Sequence, residues 1–423
     1  MANPGKFRRV VTCQGGIQLV AALGALRSRE DEERNSGHVH DYEDFLVIYD
    51  LFAPQSQLPK FAEAVKRMAA ALHEWQSIVY ISREDMEALG AKLGFANKTP
   101  IFARVRDLIG AAEADEIYLC RNWQFGNRLL LHAYREAQKV CYGDSIGIYF
   151  SEAYFSPAVA SNGEPITTVD RRQLSRMKHG LRRRITGTPH ENPELRGIDV
   201  LDEIEFDAGY FLLPEILRET PPMPTKLVGK ETTAKLFRQL ARALNPDQIA
   251  AQYGYLAQVP AVILMTSNFS EAERMPADKE IAAYRTFLEG LQLPRESVLV
   301  IKPHPRDGAE KIQIIGRTLG DLFSKVVLLT DPNLFFIPFE VFLLQAFLGH
   351  NEEASRDLKI ITFSTACLSL PVLFNLNPII GFGSEIVKAS FFENYITGRL
   401  RHEEDLHLAV QTLARHGDHD GFN

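Results

Sequence analysis

Short, unbroken apolar runs alternate with helix-period segments along most of this chain, and that alternation restricts the fold more than any other feature. Runs such as Phe45–Leu51 (FLVIYDL), Val259–Met265 (VPAVILM) and Ser297–Ile301 (SVLVI) lack polar alternation, so both faces of each strand must be covered. Strand–helix–strand order of this kind gives a parallel sheet with helices on both faces. Up to residue 145 the pattern predicts strands at Val10–Thr12, Phe45–Leu51, Ser77–Ile81, Glu116–Cys120 and Lys139–Tyr142, with helices between them. It lapses over about 151–255, where turn-rich segments (SNGEP, TGTPHENPELRG, ETPPMPTK) surround a basic stretch and a predicted helix at Glu231–Leu244. From Val259 it restarts, with strands at Ser297–Ile301, Lys325–Leu329, Leu358–Thr362 and Pro378–Phe382 and a closing helix over His402–Arg415. Two α/β runs around a less regular middle predict two facing Rossmann-like domains, 1–256 and 257–423, with the last helix free to pack back on the first.

A chain of 423 residues with 45% hydrophobic and 24% charged residues closes a core without disulfide staples. Cys13, Cys120, Cys141 and Cys367 form no C-x-x-C pair and have no His at ligand spacing, so they read as reduced core residues of a cytoplasmic protein. The N-terminal stretch lacks the apolar run of a signal peptide. The longest apolar stretch, Leu334–Leu348, contains Pro338 and Glu340 and is too short to span a bilayer; peripheral contact with a membrane's inner face stays open. A formal net charge of −7 argues against a nucleic-acid partner.

In sheets of this type, ligands bind beyond the carboxyl ends of the strands. The strongest signal there is VLVIKPHPRD, where an apolar strand delivers Lys302, His304 and Arg306 into a turn stiffened by Pro303 and Pro305. An imidazole so held can donate to a phosphate oxygen or protonate a leaving group; a plain surface turn is the alternative. In FIPFE, Pro338 suits the first helical position and Glu340 the first turn, where a carboxylate is favoured by the helix dipole. Among Phe335, Phe336, Phe339, Val341 and Phe342, that carboxylate needs donors such as ribose hydroxyls or a base amino group. Ser364 and Thr365 follow the strand KIITF and open a helix, an arrangement that serves an anion site or an ordinary N-cap. Gly143 lets the chain turn after Lys139–Tyr142 and exposes Asp144, an acid able to take a hydroxyl proton or to sit idle in a turn. Gly15 and Gly16 make a tight strand-to-helix turn without the G-x-G-x-x-G spacing of a dinucleotide site. Finally, Arg171, Arg172, Arg176, Lys178, Arg182, Arg183 and Arg184 form a local positive field for an anionic glycan, an anionic lipid or a nucleic acid, or else a solvated helix face. No P-loop, H-E-x-x-H or G-x-S-x-G motif occurs, and the one D-x-D lies in the tail at Asp418–Asp420.

The order of these motifs resembles the bacterial sialyltransferases, specifically the α-2,8-polysialyltransferase-like and lipooligosaccharide sialyltransferase families. The resemblance implies a GT-B architecture with an acceptor-side N-terminal domain and a donor-binding C-terminal domain. It also implies an inverting, metal-independent transfer of sialic acid from CMP-sialic acid to a glycan hydroxyl, with no cofactor. The family's acid-acid-Gly motif falls on Gly143, Asp144 and Ser145, keeping only the second acid, the general base, at Asp144. His304 and Pro305 match the H-P motif whose His binds the CMP phosphate; Glu340 matches the acid that contacts cytidine; Ser364 and Thr365 match the phosphate-binding pair. Gly15 and Gly16 match a loop beside the donor, and Lys302 adjoins the phosphate group of residues. Another nucleotide sugar on the same fold, or a non-catalytic binder of anionic glycans or membranes, remains a rival reading.

Overall fold

The computed structural model describes residues 6–143, 193–212, 221, 223–348 and 358–417. Asp144, Ser145 and the whole Arg171–Arg184 cluster lie outside the described residues. The chain divides into two compact units, 1–51 with 65–151 and 167–236, and 52–64 with 152–166 and 237–423.

The first unit holds a seven-stranded parallel sheet of order β3-β2-β1-β4-β5-β6-β7, comprising β1 (Phe7–Cys13), β2 (Tyr42–Ile48), β3 (Ser77–Tyr80), β4 (Glu116–Leu119), β5 (Gln138–Cys141), β6 (Ala208–Phe211) and β7 (Thr225–Leu227). The 3-2-1-4-5 core of this order is the doubly wound pattern, in which the chain reverses direction across the sheet between β1 and β4. β6 and β7 extend the sheet beyond the predicted strands; they are short, and the exposed TKL of β7 carries no apolar run. Val10, Val47, Ile117, Leu119 and Cys141 from the sheet pack with Leu129 and Leu130 of the helix Phe125–Ala133 in one buried cluster.

The second unit repeats the order with five parallel strands, β10-β9-β8-β11-β12: β8 (Ala261–Met265), β9 (Val298–Lys302), β10 (Lys325–Leu328), β11 (Leu358–Thr362) and β12 (Ile379–Ile380). β9 is buried along its whole length, as both-face coverage requires. Two Rossmann-like parallel sheets in one chain are the α/β composition of a GT-B protein, as expected.

The apolar stretch after Asp331 forms two short helices, Pro332–Phe335 and Phe339–Leu343, followed by a π-turn at Leu344–Leu348. No helix among the described residues is long and apolar enough to cross a membrane. The closing helix starts at Glu393, nine residues before the predicted start at His402; its first turns pack Tyr395, Ile396 and Leu400 against the core and bury Arg399. It belongs to the second unit.

Candidate functional site

The order of the second sheet puts its switch point between β8 and β11. Register aligns Met265 with Lys302 on one side and with Thr362 on the other, so these three residues end one row across β9, β8 and β11. His304, Ser267 and Ser364 each stand two residues past that row, on one edge. At about 4.8 Å per strand, the ends of β9 and β11 lie roughly 10 Å apart. The sheet thus brings His304, Ser364 and Thr365 to one edge.

The His304 turn is fixed from beneath. The carbonyl of His304 accepts from Asp307 N–H at 2.9 Å, with Pro305 in the second position that suits such a turn. His304 N–H donates to Thr266 Oγ1 and to Asp307 Oδ2, both at 2.9 Å, and Thr266 donates to Asp307 at 2.6 Å. Asp307 is fully buried and bonds Lys311 at 2.9 Å, one helical turn on; Lys311 also pairs with Glu271 and Glu280. Burial pushes Asp307 up to about 6 against the pull of Lys311 and Thr266. Lys311 stays charged: burial opposes its charge, but Asp307, Glu280 and Glu271 together raise it to about 12. A buried charge in such company is costly to unpair, so the network holds the turn in one shape.

The imidazole itself accepts Arg306 N–H at Nδ1, 3.1 Å away, which leaves the proton on Nε2 in the neutral ring. Burial, then the charges of Arg306, Lys311 and Lys302, push His304 down to about 3. It is therefore a neutral Nε2–H donor in the free protein.

Ser364 and Thr365 are half-buried at the start of the helix Ala366–Phe374. Thr365 occupies the N-cap position without a side-chain capping bond, and Ser364 Oγ lies 3.5 Å from Ala366 N and from Thr362 Oγ1. These contacts are long, so neither hydroxyl is strongly committed to the helix. Arg399, buried, anchors the same edge by donating to Phe363 O at 3.0 Å and to Glu403 at 2.8 Å, while Glu403 accepts from Phe382 and Gly383 N–H.

Lys302 and Glu340 lie inside the protein. Lys302 closes β9 and donates to the carbonyls of Leu334 and Phe335 at 2.8 and 2.6 Å; burial lowers it to about 7, with Glu340 opposing. Glu340 is 2% exposed, accepts the Ser369 hydroxyl at 2.6 Å, and is raised by burial against that bond. Ser369 sits on the helix that Ser364 and Thr365 open, so Glu340 braces that helix. Sequence reading had not singled out Thr266, Asp307, Lys311 or Ser369. The Asp307–Lys311 spacing of four was the one visible hint.

Gly15 and Gly16 belong to the first unit, between β1 and the helix Gly16–Asn35, whose first bond joins Leu19 N–H to Gly15 O at 3.0 Å. The neighbouring side chains are mostly amides, with the Arg121 guanidinium donating to Gln14 Oε1 at 3.5 Å. Gln14 Nε2 donates to Gln124 at 3.1 Å, and the fully buried Asn127 accepts the Tyr49 hydroxyl. Gly143, after β5, has φ of 84°, a conformation glycine permits.

The chain matches the alpha-2,8-polysialyltransferase (POLYST) family over residues 68–347, more than half its length. That span contains His304, Pro305 and Glu340. Among solved structures it is similar to the UDP complex of Staphylococcus aureus MnaA, with 13% identity, a TM-score of 0.40, and coverage of 86% of this chain and 75% of that one. A UDP-GlcNAc 2-epimerase from Methanocaldococcus jannaschii gives 9%, 0.39, and 93% and 98%. The N-terminal domain of Candida albicans trehalose-6-phosphate phosphatase gives 10%, 0.36, and 97% and 93%. No curated protein matches the sequence. The family match over most of the central chain establishes that this protein belongs to the alpha-2,8-polysialyltransferase family and is a glycosyltransferase of the sialyltransferase kind.

Proposed function

We propose that the edge of the second sheet seats the cytidylate of a CMP-activated nonulosonic acid, and that the protein moves this sugar to a glycan hydroxyl with inversion. A family of sialyltransferases uses a nucleotide-sugar donor and a glycan acceptor; the identity of the nucleotide is our inference. The observation that carries it is the placing of His304, whose Nδ1 accepts Arg306 N–H, at the same strand edge as the hydroxyls of Ser364 and Thr365. His304 Nε2–H and the two hydroxyls donate to phosphate oxygens, supported by backbone N–H groups at the helix start. Lys302 and Glu340 act from behind, holding the Leu334–Phe335 carbonyls and Ser369. Gly15 and Gly16 belong to the acceptor-side unit.

In the reaction, Asp144 takes the proton of the acceptor hydroxyl as its oxygen attacks the anomeric carbon. The bond from that carbon to the phosphate oxygen breaks, and CMP leaves with its new charge on the donors above. Preorganised donors make a divalent metal and any cofactor unnecessary in this scheme. The Arg171–Arg184 cluster draws the anionic glycan, or an anionic membrane surface at the cytoplasmic face, toward the enzyme.

A thermal-shift comparison of CMP, UDP and GDP tests the donor assignment. Stabilisation by CMP alone, lost in His304→Ala, supports it; preference for UDP or GDP, or indifference to His304, refutes it. Turnover unchanged by EDTA is the expected result for metal independence.

A further inference from the structure

The turn that carries His304 also carries a guanidinium with no role in the scheme above. Arg306 stands two residues past His304 and donates its backbone N–H to His304 Nδ1 at 3.1 Å, so both side chains share one rigid turn. The guanidinium carbon lies 4.2 Å from the centroid of the Phe52 ring. Phe52 belongs to the 52–64 segment of the second unit, and 41% of it remains exposed. A large ring kept at the surface contributes little to the core. Placed over it, the guanidinium of Arg306 loses rotamer freedom in advance and keeps its charge.

The turn lies among charges of both signs: Lys311 is paired with Asp307, Glu271 and Glu280, and Arg399 with Glu403. Arg306 acts on His304, and it also acts on Arg274, which burial first, then Arg399 and Arg306, lower to about 10. The donor phosphate already has donors in His304, Ser364 and Thr365. A nonulosonic acid brings a second anion: its carboxylate is attached to the carbon that bears the phosphate, so the two anions sit side by side. A planar fork next to a phosphate seat matches that pair, and a neutral sugar gives it nothing to bind.

We propose that Arg306, positioned over Phe52, binds the carboxylate of the donor sugar and thereby selects nonulosonic acids over neutral sugars carried on the same nucleotide. This rests on the CMP reading given above. The test is calorimetric titration of the intact protein with CMP and, separately, with the slow-reacting donor CMP-3-fluoro-N-acetylneuraminate.

Arg306→Gln should bind the fluoro donor about tenfold or more weakly and CMP within about twofold of the unaltered protein. Arg306→Lys, with charge but no fork, should fall between them. Phe52→Ala should weaken the fluoro donor by a few fold through lost positioning, leave CMP affinity in place, and raise KM for donor more than it lowers kcat. Equal loss for both ligands would make Arg306 a phosphate contact and overturn the proposal, as would unchanged donor affinity in Arg306→Gln and Arg306→Lys. If the unaltered protein bound neither ligand, the CMP reading itself would fall, a result distinct from either of these.

Discussion

The two sheets share a strand order but carry opposite chemistry at the edge where that order places ligands. Beyond β9 and β11 of the second sheet stand His304, Arg306, Ser364 and Thr365, over an ionic set of buried Asp307, Lys311 and Glu280 with the more exposed Glu271. Beyond β1 of the first sheet stand Gln14 and Gln124, bonded to each other, and near them Asn127 with Tyr49. Cations and hydroxyls on a rigid ionic base suit a multiply charged phosphate; the first edge sets a single guanidinium, Arg121, against amides instead. Topology therefore marks where each unit can bind, and side-chain charge decides what it binds.

The largest expected effect breaks that contrast at its strongest point. His304→Ala should cut transfer about 100-fold or more, in the range of a lost transition-state donor. Gln14→Ala, at the amide edge, should leave CMP affinity within about twofold. Calorimetry and single-turnover kinetics on both variants check this pair, and equal loss of CMP affinity would erase the distinction between the edges.

A second comparison concerns stability. Asp307→Ala removes a carboxylate that is fully buried and shared by Thr266, His304 and Lys311, and should cost about 3–5 kcal/mol. Tyr49→Phe removes a single neutral hydrogen bond to Asn127 in the first unit and should cost about 1–3 kcal/mol. Urea unfolding of the two variants measures the difference, and a smaller loss for Asp307→Ala would mean that the turn is not built on its carboxylate.

Acid sharpens the comparison further. His304 and His402 are pushed down to about 3, each by burial first and then by neighbouring cations: Arg306, Lys311 and Lys302 for the former, Arg399 and Arg274 for the latter. The unfolded chain takes up these protons near the ordinary pKa of about 6.5, which the folded protein resists. Stability is therefore fully present above that value and falls as pH drops toward 3. His402→Asn should flatten the dependence of Tm on pH across this window; an unchanged slope would show that His402 is not held neutral. Ser364→Ala with Thr365→Val should lose CMP affinity about tenfold or more, because each hydroxyl donating to a phosphate oxygen makes a charge-assisted bond.

The sequence made the second unit's site legible in outline. A continuous apolar strand running into K-P-H-P announces both a buried β9 and a stiff turn, because burial and proline act locally. Ser364 and Thr365 were readable for the same reason, as hydroxyls between a strand and a helix. The support was not readable. Thr266 joins Asp307 across 41 residues, and Ser369 joins Glu340 across 29, contacts that only the folded sheet creates. Lys302 and Glu340 could be seen as charged residues in apolar company, but not that each would find its partner inside the protein. β6 and β7 escaped notice because four and three residues carry too little periodicity to stand out from turns.

Imidazole nitrogen NMR of His304 during a CMP titration reaches the central claim most directly, with His304→Gln used to assign the signal. The account predicts a neutral ring protonated at Nε2 in the free protein, and an Nε2 resonance that moves in step with CMP occupancy while that of His402 stays still. Saturation by CMP without any change at His304 would contradict it.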